Sequence, residues 1–439
     1  MSDGWAWERL GNITTIARGG SPRPIKSYFT TELDGVNWIK IGDTEKNGKY
    51  IFSTKEKIKP EGIAKSRYVK SGDFLLTNSM SFGRPYILKT DGCIHDGWLM
   101  IGNTEIVFNQ DYLYYALSSD FMYNMLSVLA GGSTVDNLNS DLVKSLLFPI
   151  PPMQEQIIIA NKAESLMEIV DTINNNEKEL LKNIKSIKSK ILDLAIRGKL
   201  VPQDPNDEPA SVLLERIQAE KEELIKQGKI KRDKKESVIF KGDDNSYYRL
   251  TSDNKRYDVS APFDLPDCWE WTTFPTVAHV ELGKTLDKVK NTGTYYPYLR
   301  SVNVQWGYVD LSDVKEMKFE PEEIERYTIK KNDLLICEGG DVGRCCVWNK
   351  NESILYQNAI HRVRFYNSIN CNFYMYFMMY LEAKGALKRI SNGVTIKHLT
   401  NTVLSNIIIP LPPLAEQERI VNAVETLFTQ IDKIAEQIS

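Results

Sequence analysis

Past residue 160 the apolar positions fall into a heptad: Ala163, Leu166, Val170, Ile173, Leu180, Ile184, Ile187, Ile191 and Leu194 recur at that spacing, interrupted only by Glu177. Such a stripe predicts one long amphipathic helix with an a/d seam. The same seam returns near the end of the chain with Val424, Leu427, Ile431, Ile434 and Ile438. Elsewhere the texture is different. Runs such as NWIKIGD, YVKSGDFLLT, RPYILK and HDGWLMIG are β-rich and are punctuated by Gly, Asn, Asp and Ser, the pattern of short strands and turns. Each β-rich region is followed by one apolar helical run, Asp111 to Leu129 in the first half and Asn372 to Ile390 in the second. The expected fold class is therefore α/β.

The second half of the chain repeats the first at an offset of about 261 residues. FPIPPMQEQ at Phe148 returns as IPLPPLAEQ at Ile409, and GGSTVDNL at Gly131 returns as NGVTIKHL at Asn392. Upstream the register slips by one, so that Asp73 falls on Asp333 and Gly83-Arg84 on Gly343-Arg344. The openings correspond as well, GWAWERLGNI near Gly4 with CWEWTTFPTV near Cys268. Solenoids need three or more short units, whereas two units of this length are tandem domains.

The expected organisation is a first repeated domain over residues 1–152, a helix over 153–198 and a linker with a charged helix over 199–260. A second repeated domain over 261–412 and a closing helix over 413–439 follow. A pseudo-two-fold relation would run the two heptad helices antiparallel as a coiled coil. An overlap of about 25 residues gives roughly 38 Å, close to the approximately 34 to 36 Å of one DNA turn. The segment after Leu200 reads as a Pro-rich turn, then a charged amphipathic helix with a partner-binding face. Its basic cluster, Lys226 to Lys235, reads first as a solvated face and second as a nucleic-acid patch.

A chain of 439 residues with 42% hydrophobic and 26% charged residues has ordinary globular composition. No basic start with an apolar run opens it and no stretch approaches a membrane span, so a cytoplasmic protein is expected. The six cysteines lack CxxC spacing and read as reduced thiols, without a metal site. GKT at Gly283 to Thr285 lacks the glycine a phosphate loop needs five residues earlier, where Ala278 stands. The four histidines have neither HExxH spacing nor a paired nucleophile, and no Asn-Pro-Pro-aromatic motif for amino methylation occurs. Catalysis therefore has no candidate residues. The net charge of -3 runs against the basic footprint of most DNA-binding domains, and keeps a coiled-coil scaffold open as a rival reading.

Taken together, the repeat, the PPxxEQ junctions, the heptads and the segment ILDLAIRGKLVPQDPNDEPASVLLERIQAEKEELIKQGKIKR resemble type I restriction-modification specificity subunits along essentially the whole chain. The resemblance implies a non-catalytic chain in which each recognition domain reads one half of a split double-stranded DNA target. It further implies helices that space the domains and dock two adenine methyltransferase subunits, with restriction and translocase subunits joining that core. S-adenosylmethionine, ATP and magnesium would then belong to those partner subunits, none to this chain. The closing helix, shorter than the first, departs from the family and questions whether both methyltransferases dock equivalently.

Base contacts are expected from polar groups on loops. In the first unit these are Ser21, Arg23 and Lys26, then Asn78, Ser79, Ser81 and Arg84 in the NSMSFGR turn. In the second they are Arg300, Asn303, Glu338, Arg344, Gln357, Asn358, Lys397 and His398. Arginine can read guanine, asparagine adenine, and a carboxylate the cytosine amino group. Because Gly83-Arg84 and Gly343-Arg344 recur, a phosphate grip is the favoured role for the two arginines, with a turn-holding role as the alternative.

Overall fold

The structure is a computed structural model that describes residues 4–45, 48–78, 82–130, 138–232, 237–251, 254–287, 291–391 and 398–437. The chain divides into two compact units, residues 1–176 and 177–439.

In the first unit the strand Ala6–Arg9 pairs antiparallel with Leu147–Ile150, a ribbon that ties the start of the domain to its end. Between them lie two five-stranded sheets. One runs in the order Thr15–Arg18, Trp98–Gly102, Phe74–Thr77, Pro85–Leu88, Tyr50–Ile51. The other runs Phe29–Thr30, Glu56–Ile58, Val36–Ile39, Gly92–Ile94, Arg67–Val69. The alternation of side chains along Phe74–Thr77 explains the layering. Phe74 and Leu76 point into a core shared with the helices, and Leu75 points into a second core built with Ile39, Val69 and Ile94 of the other sheet. The single helix expected over Asp111 to Leu129 is two, Gln110–Leu117 and Asp120–Leu129. Ser119 makes the break, since its hydroxyl accepts the Met122 N–H as an N-cap.

The second unit repeats this plan with one edge strand fewer in each sheet, lacking counterparts of Tyr50–Ile51 and Phe29–Thr30 among the described residues. The ribbon is Glu270–Thr273 with Ile408–Leu411. The sheets run Ala278–Leu282, Ile360–Phe365, Leu334–Cys337, Cys345–Val347 and Lys315–Phe319, Thr294–Leu299, Ile354–Tyr356, Thr328–Ile329. Here too the expected helix divides, into Cys371–Ala383 and Ala386–Ile390, with Gly385 at φ 64° between them. A left-handed backbone suits glycine.

Residues 199–260, expected as a linker, are a folded part of the second unit. The helix Ala210–Lys226 buries Ala210, Leu213 and Ile217 in the same core as Phe274 and Val277. The Lys221 ammonium donates to the Pro275 carbonyl at 2.9 Å. A three-stranded antiparallel sheet, Ser237–Lys241, Tyr247–Thr251 and Arg256–Val259, follows. The amphipathic face expected to bind a partner packs inward, on its own domain. From the basic cluster, Arg232 is engaged by both carboxylate oxygens of Glu222, at 2.7 and 2.6 Å, and 233–235 lie outside the described residues.

The two heptad helices form as Met153–Ile196 and Leu414–Glu436. Within the second unit Ile191, Leu192, Ala195 and Ile196 share a core with Ile420, Val421 and Val424. Lys188 pairs with Asp432 near the end of the closing helix, while Gln203, just past the first helix, bonds Glu416 in its first turn. The two therefore run antiparallel where they meet. Much of the seam is uncovered: Leu166, Val170, Ile173, Leu180, Ile187 and Ile434 are about half exposed, Ile184, Leu427 and Ile431 are half-buried, and Ile438 lies outside the described residues. No helix among the described residues is long and apolar enough to cross a membrane.

Candidate nucleic-acid interface

In the first unit the loop after Thr15–Arg18 is held close to the turn that precedes Trp98. Gly19 donates to the Trp98 carbonyl at 2.9 Å and Gly20 to the Ile94 carbonyl at 3.2 Å. A Cβ at Gly19 would lie 2.0 Å from the His95 carbonyl oxygen, so only glycine permits the approach. The loop thereby delivers Ser21, whose hydroxyl donates to Asp96 Oδ1 at 2.9 Å, and the exposed Arg23, 3.6 Å from the same carboxylate. The Ser21 hydrogen bond, aided by the charge of Arg23, holds the Asp96 carboxyl below the usual carboxylate range. Lys26 is exposed in the short turn Ile25–Ser27.

Asn78 anchors the opposite side. Its backbone N–H donates to the Gly97 carbonyl (3.1 Å), its carbonyl accepts from Leu138 (2.9 Å) and its side-chain amide donates to the Asp96 carbonyl (2.8 Å). Its buried side-chain oxygen has no partner among the described residues. Ser79 and Ser81 lie outside the described residues. Gly83, at φ 69°, closes the turn by donating to the Thr77 carbonyl, and the Arg84 guanidinium lies 5.4 Å from the Tyr86 ring centre.

The second unit has the same backbone frame with other side chains on it. Gly283 donates to Ile360 (2.9 Å), Glu338 donates to Ala359 (2.9 Å), and the Glu338 carbonyl accepts from Leu399 (2.7 Å). These bonds set Glu338 where the first unit has Asn78, Asn358 where it has Asp96, and Gln357 where it has His95. Lys284 replaces Gly20 and is buried between the carboxylates of Glu320 and Glu323. The Gln357 side-chain oxygen is buried without a partner among the described residues. His398 is exposed, beside Gly339, and Lys397 lies outside the described residues.

Three expected contacts are turned toward their own domain. Asn303 is 2% exposed and closes a loop, accepting from the Arg300 N–H (2.9 Å) and donating to the Asp310 and Asp313 carbonyls (2.9 and 3.1 Å). Arg300 binds the Asp313 carboxylate at 2.6 Å. Arg344 donates to the Ser301 carbonyl at 2.9 Å, behind a turn closed by Gly343 at φ 80°. Sequence reasoning missed Asp96 because HDGWLMIG read as strand alone. The repeat register of the sequence, at 260 to 261, sets it opposite Tyr356 or Gln357, and only the main-chain hydrogen bonds bring it opposite Asn358. Among the described residues no three His, Cys, Asp or Glu gather as metal ligands.

The family profile described as "Type I restriction modification DNA specificity domain" matches residues 2–183 and 266–439, the two repeat halves. The chain is 25% identical to the EcoAI type I restriction enzyme specificity subunit of Escherichia coli, over 99% of this chain and 79% of that one. It is 20% identical to the EcoKI specificity subunit of Escherichia coli strain K12, over 100% of this chain and 85% of that one. A local match to the Escherichia coli EcoEI specificity subunit reaches 49%, over 24% of this chain and 15% of that protein. Two solved structures share the fold at 19% identity, each aligned over 100% of this chain and 93% of the other. One, from work on complex assembly and conformational transition of the type I R-M system, gives a TM-score of 0.68, and the HsdS subunit of Thermoanaerobacter tengcongensis gives 0.57. A duplicated α/β domain on heptad helices, without a catalytic cluster in its sequence and with the family profile falling on both halves, belongs to the type I restriction-modification specificity subunits, the DNA-recognition members of those enzymes rather than the catalytic ones.

Proposed function

We propose that each unit reads one half of a bipartite double-stranded DNA target, acting in the cytoplasm as part of a complex with two adenine methyltransferase subunits and the restriction subunits. The observation that carries this reading is the pair of matching backbone frames. The same main-chain hydrogen bonds join Asn78 to Gly97 and Leu138 in one unit and Glu338 to Ala359 and Leu399 in the other, so Asp96 and Asn358 each stand one residue ahead of the shared acceptor. A constant frame with exchanged donors and acceptors is what two readers of different base sequences require. Ser21, Arg23 and Asp96 are the proposed readers of the first half, with Lys26 and Arg84 on phosphate. Glu338, Gln357, Asn358, Lys397 and His398 are those of the second, and Asn78 positions Asp96. Arg300, Asn303 and Arg344 act as loop-holding residues.

The half-exposed heptad stripe on Met153–Ile196 supports docking of partner helices along it, since an a/d seam without a partner leaves apolar area in water. The helices then set the gap between half-sites. The test is a genome-wide map of methylated adenines in a host expressing this chain with its methyltransferase, against the same host without the chain. A split motif with a fixed gap is expected. Methylation that does not depend on the chain would remove the reading.

A further inference from the structure

The two small sheets that flank the reading loops share a four-strand order, to which the first adds the edge strand Phe29–Thr30, and differ in charge. Residues 18–70 carry 12 Lys and Arg against 6 Asp and Glu, whereas the matching stretch 282–330 carries 8 of each. The use of those charges differs as strongly as their number. In 282–330 Lys284 is held by Glu320 and Glu323, Arg300 and Lys315 by Asp313, Arg326 by Glu281 and Lys330 by Glu325. In 18–70 Arg23, Lys40 and Lys49 are paired, whereas Lys26, Lys59, Lys65 and Arg67 are exposed and enter no ion pair among the described residues. Among the described cations of 282–330 only Lys318, half-buried beside the Tyr295 ring, likewise enters none.

These four gather beside the first reading loop. The Lys59 N–H donates to the Tyr28 carbonyl at 2.8 Å, and the Lys65 ammonium donates to the Tyr28 hydroxyl at 2.7 Å while sitting 5.3 Å from its ring centre. Lys26 lies in the turn that Tyr28 caps, and Arg67 begins the strand Arg67–Val69 just past Lys65. A solvated face could explain loose cations on any one sheet. The repeat supplies the control: the second sheet keeps the strand order of the first, less its edge strand Phe29–Thr30, with no net charge over 282–330, so the shared four-stranded part does not require the excess.

Resting on the DNA-reading proposal, we infer that Lys26, Lys59, Lys65 and Arg67 grip the phosphate backbone of the first half-site, and that the second unit contributes little phosphate contact of its own. Each neutralised phosphate releases counterions and adds about 0.9 to the slope of log affinity against log salt. The chain is then anchored asymmetrically. The first unit supplies sequence-independent affinity, and the second discriminates bases on a duplex already held.

The test uses the full chain with its methyltransferase subunits, binding a duplex with the mapped target and a scrambled duplex between about 50 and 200 mM salt. The variant Lys26→Gln/Lys59→Gln/Lys65→Gln/Arg67→Gln is expected to weaken both duplexes by the same factor and to flatten the slope by about three to four. Lys315→Gln/Lys318→Gln/Arg326→Gln/Lys330→Gln should change it by less than about one. Lys26→Arg/Lys59→Arg/Lys65→Arg/Arg67→Lys restores the wild-type slope if charge is the cause, and thermal melts confirm that the variants fold. Equal slopes for the two glutamine variants, or a larger loss in the second, would overturn the asymmetry. Should wild type prefer neither duplex, the base-reading proposal fails instead, and the slopes still decide where phosphate is held.

Discussion

Gln156 accepts the backbone N–H of Asn109 on its side-chain oxygen at 2.8 Å and donates its amide to the carbonyls of Val107 and Pro151, each at 2.9 Å. Gln417 repeats the device, accepting from Asn370 at 2.9 Å and donating to Pro412 at 2.9 Å. Both glutamines are fully buried in the first turn of a heptad helix, and Asn109 and Asn370 each cap a helix of the preceding domain. One side chain therefore fastens each heptad helix to its recognition domain, which is the physical content of the repeated Pro-Pro-x-x-Glu-Gln. Gln156→Ala and Gln417→Ala should each cost about 1–3 kcal/mol, because a buried backbone donor and one or two carbonyls lose their partner. Urea melts of the full chain measure this, and unchanged midpoints would refute the role.

Trp7 and Trp271 hold the same place in the two ribbons, yet Trp7 is 40% exposed and Trp271 1%. The difference comes from the part of the second unit ahead of its ribbon, where the Phe263 ring centre lies 5.0 Å from that of Trp271 and the strand Ser237–Lys241 packs on Glu270–Thr273. Trp271→Ala is expected to cost about 3–5 kcal/mol, a large-to-small change in a closed core. Trp7→Ala should cost less than about 1 kcal/mol, since most of the lost area was already in water. Comparable losses in denaturant titrations would contradict the covered-and-bare contrast.

Exchange of residues 1–152 for the corresponding stretch of another specificity subunit should change one half of the methylated motif and leave the other half and the gap intact. The break falls at Pro152, ahead of Gln156, so the heptad helix keeps its own first turn. Methylome sequencing reads the outcome. A change in both halves would show that the units do not read independently.

The repeat and both heptad helices were legible in sequence because each depends on local spacing: the repeated Pro-Pro pairs stand just ahead of Met153 and Leu414, and a heptad shows itself. The amphipathic helix within residues 199–260 was legible, but its packing into the second unit was not, because its partner Phe274 is distant in the chain. At the site, Ser21 and Arg23 could be picked as loop polar groups. Asn303 could not be told from them, since whether a polar side chain faces a ligand or closes its own loop depends on where Asp310 and Asp313 return. Asp96 needed the tertiary approach of Ser21 before it had any reason to stand out.

His361 is fully buried in the second unit, with Nε2 2.7 Å from the Leu399 carbonyl and Nδ1 without a partner among the described residues. The carbonyl can only accept, so the ring is the neutral tautomer with its proton on Nε2. Burial, only partly offset by that hydrogen bond, holds its pKa below the ordinary 6.5. A second proton therefore binds the unfolded chain first. The second domain has its full stability above about pH 6.5 and loses it as pH falls through that value toward the lower folded pKa. The first unit has Leu99 at this position, paired with Leu76 and Arg18 as His361 is with Ile336 and Leu282. His361→Leu should cost about 1–3 kcal/mol at pH 7.5, where the Leu399 carbonyl loses its donor. That deficit should shrink as pH falls from about 6.5 to 5, because the variant has no ring to protonate. Half-buried His279 moves in the same direction, through desolvation first and Arg362 second, and keeps a residual slope in both proteins. Urea midpoints at pH 5, 6 and 7.5 test the argument, and a deficit that stays constant or grows in acid would show that His361 is not the group that titrates.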